Sequence, residues 1–509
     1  MTTDSTSYEI AWPPAHAMIE SLRGVGYSLE TAIADLVDNA IAANAENVWL
    51  DFTFDGPESW FTMLDDGDGM DVQALRVAMT VGGRSPLEIR SATDLGRFGM
   101  GLKTASFSQC RSLTVASRPE GGDVSIRRWD LDYIARPDVN EWRLLQDAAV
   151  GSAGRLDPLS RVTSGTLILW EKMDRVTAGL AADQNGRKAF LRLVSRVENH
   201  LAMVFHRYID GPGSRLRLHI GGSRISAWDP FLPERQTAVT PVERIVSPGG
   251  MVDVQGFILP HRDQLDQKMF ERAAGRDGWT SQQGFYVYRN DRMLVSGGWL
   301  GLGEPRAWTR EEPFRLARLA VNFTNSADAD WSIDIKKSSA RPPRAIRARL
   351  TELAAGVRTD ARRVFAHRGL YGPRAASSEV IPIWTSVPGA ATPAYRINRA
   401  HPGVARLLDA GDAGPAEVEP LLKLIEAHVP VQRIWLDAME QGDTAQVGVQ
   451  EPDAAETAAL TEMAKGLFQH LTTRIGLSAE LAIARLRTTE PFQNHPSIID
   501  RLPPEAETH

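Results

Sequence analysis

The chain has 509 residues, 43 % apolar and 24 % charged, with a net charge of −7 and a single cysteine, Cys110. That length exceeds what one core holds and points to two to four domains. One cysteine excludes a disulfide framework or a cysteine-rich zinc site within the chain, and the acidic balance excludes a general basic coat for nucleic acid, while leaving room for a local patch. The polar opening Met1-Thr-Thr-Asp-Ser-Thr-Ser-Tyr8 lacks the layout of a signal peptide, and no apolar run approaches the ~20 residues that cross a bilayer. A cytoplasmic location without a membrane partner is therefore expected.

Ser28 is placed as the N-cap of a helix running to about Ala43, with Ile33, Leu36, Val37, Ala40 and Ile41 along one side. Asp35 and Asn39, four apart, share one face of it. Apolar runs at 48–54 and 60–64, separated by Asp55-Gly-Pro57, predict a strand hairpin, and its second strand runs directly into Asp65-Asp-Gly-Asp-Gly69. A helix over about 72–80 comes next, then a Gly/Ser/Arg-rich stretch at 82–97 that is expected to be mobile. The run Gly96-Arg-Phe-Gly-Met-Gly-Leu-Lys103 then opens an apolar helix from Leu102. Strand character returns at 113–116, 124–129 and 166–170. Strands in hairpins make this an α+β pattern, unlike the βαβ alternation of a dinucleotide fold.

A second unit is expected to begin near residue 206, with strands at 216–220, 251–259 and 285–288, a turn at Asn290-Asp291 and a further strand from Arg292. The stretch from Leu316 through Lys337 ends in Ala340-Arg-Pro-Pro343, which punctuates it. From Lys336 to Arg368 ten Lys or Arg stand against two acids, Glu352 and Asp360. Residues 371–378 read as a linker into a third, mainly helical unit. That unit contains an extended piece at 380–384, an acidic stretch at 440–456 without Lys or Arg, and a stripe of Leu460, Met463, Leu467 and Leu471 suited to packing on another element. The predicted domains are thus 1–205, 206–370 and 371–509.

Together the first three motifs supply what a nucleoside triphosphatase needs. Magnesium favours oxygen ligands and takes few from protein, so the Asn39 side-chain carbonyl suits it. Asp35, one turn earlier, is placed to orient and deprotonate an attacking water. Asp65 is an acceptor for adenine's exocyclic amine, and Gly67 and Gly69 allow the backbone to approach the ring. Gly96-x-x-Gly99-x-Gly101 has dinucleotide-fingerprint spacing but comes after a loop rather than a strand, which favours a lid whose N–H groups hold phosphates. Lys103 adds a point charge there, and Thr166 a hydroxyl near the base. Taken singly, each has a plainer reading: two solvated helix residues, an acidic or weak calcium-binding turn, a structural glycine turn.

The ordered set resembles the ATP-binding fold shared by gyrase B, the ninety-kilodalton heat-shock chaperones, MutL and histidine kinases, the GHKL or Bergerat-type α/β sandwich. Within it, Ala32-Ile-Ala-Asp-Leu-Val-Asp-Asn39, Asp65-Asp-Gly-Asp-Gly-Met70 and Gly96–Lys103 resemble MORC ATPases and their bacterial relatives. Gly284-Phe-Tyr-Val-Tyr-Arg-Asn-Asp-Arg-Met-Leu294 resembles the ribosomal-protein-like transducer domain of MORC and MutL proteins. The likeness covers about 10–345, and Tyr395-Arg-Ile-Asn-Arg-Ala-His-Pro402 is similar to a segment of bacterial members.

This resemblance implies ATP and Mg²⁺ as ligands and an ATPase activity. It carries nucleotide contacts onto Asn39, Asp65, Gly67, Gly69, Met70, Gly96, Phe98, Gly99, Met100, Gly101, Leu102, Lys103 and Thr166. Asp35 stands where the family has a glutamate base, one methylene longer, so slow turnover is implied. The transducer's phosphate-sensing lysine falls on Lys336 or Lys337, with Lys337 preferred. Family members close a homodimer on ATP, which implies a DNA clamp, with 336–368 as the contact, in bacterial defence or DNA repair. The rivals are a chaperone-like ATPase acting on a protein client, and a switch recruiting a nuclease or helicase through the C-terminal region. With 27 residues before the Ser28 helix cap and no coiled-coil context for His16, a histidine autokinase is disfavoured.

Overall fold

A computed structural model describes residues 9, 13–24, 26–83, 101–139, 141–211, 214–235, 238–327, 330–331, 340–366, 381–387, 394–410, 414–428, 454–492 and 495–502. The chain divides into two compact units, 1–368 and 369–509.

The first unit opens with helices α1 (Ala15–Arg23) and α2 (Leu29–Ala42), then strands β1 (Asn47–Thr53) and β2 (Trp60–Asp65). Helices α3 (Val72–Met79) and α4 (Gly101–Phe107) precede β3 (Ser112–Arg118), β4 (Ser125–Asp130), the short α5 (Leu131–Ile134) and β5 (Gly165–Glu171). Next come α6 (Gln184–Val204), α7 (His206–Asp210), β6 (Arg217–Ile220) and β7 (Ser223–Arg224). The seven strands form one sheet in the order β4-β3-β5-β2-β1-β6-β7. One face carries the main core, in which Ile33, Leu36 and Val37 of α2 meet Phe61, Met63, Val115 and Trp170 of the strands and Phe190 and Val197 of α6. The opposite face is smaller: Leu64, Ala116, Leu167 and Leu169 pack beneath Leu159 of a 3-10 segment, Ala153–Arg161.

Helix α2 begins where the sequence places it. The Ser28 hydroxyl accepts from the Thr31 N–H at 3.3 Å, and Thr31 reciprocates on the Ser28 N–H at 3.1 Å, a capping box worth about 1 kcal/mol. The strand at 217–220 corrects the expected boundary at 206. It pairs in parallel with β1, Val48 opposite Leu218, and so completes the first sheet instead of opening the second.

The second sheet holds β8 (Ala238–Val239), β9 (Glu243–Ser247), β10 (Gly250–Ile258), β11 (Gly284–Arg289), β12 (Arg292–Ser296) and β13 (Ala317–Phe323), ordered β12-β11-β13-β10-β8 with β9 on β10. Helix α8 (Gln267–Ala274) interrupts it, and α9 (Arg344–Ala366) lies across it, burying Ile346, Leu350, Ala354, Val357 and Ala361. Asn290 and Asp291 make the expected hairpin turn with φ of 47° and 64°, the left-handed pair that a two-residue β-turn demands.

Among the described residues, the second unit is helical apart from one hairpin, Trp384–Val387 with Ala394–Ile397. Its helices are Pro402–Ala410, Gly414–Ala427, Ala454–Gln469, Ala479–Arg487 and Pro496–Ile499. The predicted stripe packs within this unit: Leu467 and Leu471 are buried with Leu486 and Ile499, Leu460 flanks them, and Met463 faces solvent. The linker at 371–378 and the acidic residues 440–453 lie outside the described residues.

Candidate nucleotide site

Side chains of β2 alternate, so Asp65 falls on the face of Phe61 and Met63, which is covered by helices. Sheet register sets Asp65 opposite Thr166 of β5. Its Oδ1 accepts from the Gly67 N–H at 3.0 Å and the Thr166 N–H at 3.3 Å, while Oδ2 has no partner among the described residues. Asp65 as a whole is 4 % exposed. Burial, opposed by those two amides and reinforced by the charges of Asp66 and Asp68, pushes its pKa up to about 7.

The glycines of this turn are required for a reason other than the expected one. A Cβ on Gly67 would meet the Ala43 carbonyl oxygen at 2.6 Å, and one on Gly69, with φ at +68°, would meet the Arg118 carbonyl oxygen at 1.9 Å. The close approach they permit is to the protein's own backbone. It brings the acidic turn onto the C-terminal end of α2, where the Asp68 N–H donates to the Ala43 carbonyl at 2.8 Å and Asn44 Nδ2 donates to Asp68 Oδ2 at 2.8 Å.

Helix α2 supports the first and third motifs as well. Asp35 is buried at 3 % exposure, and Asn39, one turn later, is exposed. Helix α4 packs along α2, and a Cβ on Gly101 would stand 3.6 Å from Asp35 Oδ2. The described parts of all three motifs thus converge on one helix. Gly96, Phe98, Gly99 and Met100, with most of the predicted lid, lie outside the described residues, as do Lys336 and Lys337.

Two further expectations change. Lys103 is buried and its Nζ donates to the Ala78 carbonyl at 2.8 Å, because two residues of helix rotate it about 200° from Gly101, onto α3. The Thr166 hydroxyl lies 2.8 Å from Ser117 Oγ, so its backbone N–H, not its hydroxyl, serves the Asp65 carboxylate. Ser117 Oγ also accepts from the Met70 N–H at 2.8 Å, tying the turn to β3. Met70 and Leu102 are half-buried against the main core. Neither Ser117 nor Tyr27, whose hydroxyl donates to Asp35 Oδ2 at 2.8 Å, was singled out by sequence.

Residues 27–166 match the family of histidine kinase-, DNA gyrase B-, and HSP90-like ATPases. The match covers that region alone. Over 91 residues the chain is 34 % identical to ATPase morc-1 of Caenorhabditis elegans, a stretch covering 18 % of this chain and 10 % of that relative. The likeness to a MORC ATPase is therefore local, and most of either protein lies beyond it.

The matched region is joined to the second sheet through α2. Arg292 Nε, just past the Asn290-Asp291 turn, donates to Asp38 Oδ1 of α2 at 3.2 Å, with both side chains almost wholly buried. Tyr208 Oη donates to the Asn290 carbonyl at 2.6 Å, and Arg207 Nη1 donates to Asn322 Oδ1 at 2.7 Å. Breaking one side of such a buried pair costs about 3–5 kcal/mol, because the remaining charge is stranded. The neighbour of Asn39 on α2 is thus fixed to the second sheet.

The predicted basic segment loses several of its charges to internal contacts. Arg358 is wedged among Trp299, Trp308 and Phe314, its guanidinium carbon 4.6, 4.6 and 3.6 Å from their ring centres. Arg349 pairs with Glu243 and Glu352, and Arg363 with Asp360. Arg341, Arg344 and Arg362 stay exposed. No helix among the described residues is long and apolar enough to cross a membrane.

Proposed function

We propose that the chain binds ATP with Mg²⁺, hydrolyses it slowly, and uses the bound nucleotide to close a homodimer on duplex DNA. The observation that carries the nucleotide reading is Asp65, a buried carboxylate whose Oδ1 is pinned by two backbone amides while Oδ2 awaits a donor. Adenine's exocyclic amine is that donor, and a guanine carbonyl in its place would face an oxygen and be rejected. Asn39 offers one exposed amide oxygen, which fits a hard cation that keeps most of its water and leans on phosphates. Bound there, magnesium would supply neutralisation of phosphate charge. Asp35, whose Oδ2 lies beside the start of the glycine-led helix, takes a proton from the attacking water on its other carboxylate oxygen.

The second sheet is assigned as the transducer, reaching the nucleotide through Lys336 or Lys337. The expected domains, with the first boundary moved past Arg224, remain the working division. Arg341, Arg344 and Arg362 of the basic segment are the sequence-independent contacts to DNA, in a setting of defence or repair. Exposed Leu407, Leu421, Leu424 and Ile425 of the second unit favour a second reading, in which the nucleotide state governs a protein partner there.

Gel filtration with a non-hydrolysable ATP analogue and Mg²⁺ tests the closure. The apparent mass is expected to double, and duplex DNA to co-elute only with the analogue, in a manner weakened by salt. Asn39→Ala is expected to lose at least about tenfold in magnesium-dependent affinity, roughly 1.4 kcal/mol, and to elute as the nucleotide-free form. An analogue bound without any change in mass or DNA retention would remove the clamp and leave the partner reading.

A further inference from the structure

We propose that Tyr27 is a positioning residue for hydrolysis, holding the carboxylate of Asp35 in its reactive orientation. This rests on the ATPase reading above and adds a residue to it. The Tyr27 hydroxyl donates to Asp35 Oδ2 at 2.8 Å inside the core, where Tyr27 is 7 % and Asp35 3 % exposed. Aspartate has one torsion fewer than glutamate and a shorter reach, so it cannot swing toward a water; its plane must be set in advance. Fixing one oxygen fixes that plane, and with it the aim of the other.

Tyr27 is itself held from the lid helix. Gln109, two residues past α4, donates from Nε2 to the Tyr27 carbonyl at 3.2 Å, and is buried and bonded to the Ser108 hydroxyl at 2.8 Å. Gly101 at the other end of α4 stands beside the same Asp35 oxygen. Tyr27 also ends the segment just before the Ser28 cap, so its backbone is set by the start of α2. Both ends of the glycine-led helix therefore bear on the orientation of one carboxylate.

The test is Tyr27→Phe, which keeps the ring in its core position and removes only the donor. ATP affinity by calorimetry and KM are expected to stay within about twofold, while kcat falls roughly tenfold, the value of about one hydrogen bond to a charged group. In an Asp35→Asn background the same change is expected to have no further effect on kcat, since the two groups act as a unit. A parent that binds and hydrolyses ATP, alongside a Tyr27→Phe protein with the same kcat, would overturn this assignment and leave the ATPase reading intact. Failure of the parent to bind ATP would instead remove the reading on which it stands. A loss in the Asp35→Asn background equal to that in the parent would overturn it too, assigning Tyr27 to packing alone.

Discussion

Asp35→Asn is expected to reduce phosphate release by about 10²–10⁴-fold while leaving ATP affinity within about threefold. The amide keeps the size of the carboxylate, and its oxygen still accepts from the Tyr27 hydroxyl, so α2 and its contacts with α4 are retained. What it cannot do is take a proton. The effect should therefore fall on kcat and not on KM, the pattern of an interaction made in the transition state alone. Single-turnover phosphate release separates the two, and a variant turning over at the parental rate would mean that another group is the base.

Asp65→Asn is expected to have two effects of opposite sense. ATP affinity should fall about 100-fold, because the amide turns a donor toward adenine's amine in place of the acceptor. The nucleotide-free protein should become more stable at pH 8, on the order of 2 kcal/mol. The sign comes from the native carboxyl titrating near pH 7 and an unfolded one near 3.8. Between those values the native state holds the extra proton, so stability falls as pH rises through the window and the ionised form is the strained one. The asparagine retains an oxygen for the Gly67 and Thr166 amides without the buried charge.

The parental protein should also bind ATP progressively more weakly as pH drops below 7, by up to tenfold per pH unit beyond the titration of the nucleotide itself, and the variant should not. Thermal unfolding and calorimetry at pH 6 and pH 8 check both halves. Equal destabilisation at both pH values with unchanged affinity would contradict the role given to Asp65.

Local features of the fold were legible in the sequence because local chemistry sets them. Ser28 caps α2, the Asn290-Asp291 pair turns a hairpin, and Asp65 ends a strand, each decided within a few residues. What stayed hidden depends on register between distant segments. Ser117 meets Thr166 only because β3 and β5 pair with those two residues opposite each other. The strand at 217–220 belongs to the first sheet because β1, some 170 residues earlier, accepts it in parallel. The bond of Lys103 Nζ to the Ala78 carbonyl follows from turning the helix through two steps past Gly101, a direction that the glycine spacing does not reveal. The glycine requirement at Gly67 and Gly69 is legible, but its neighbours are not: the backbones of Ala43 and Arg118 occupy the space a Cβ would take. The basic count of 336–368 overstated the available charge, since aromatic and acidic partners for Arg349 and Arg358 come from elsewhere in the second sheet.

Titration calorimetry of the purified chain with ATP and with GTP, each with Mg²⁺ at pH 8, bears most directly on the site assembled around α2 and Asp65. Saturable one-site binding of ATP, at least about tenfold tighter than GTP and abolished by Asp65→Asn, is the predicted result. No heat with either nucleotide, or equal binding of both, would contradict it.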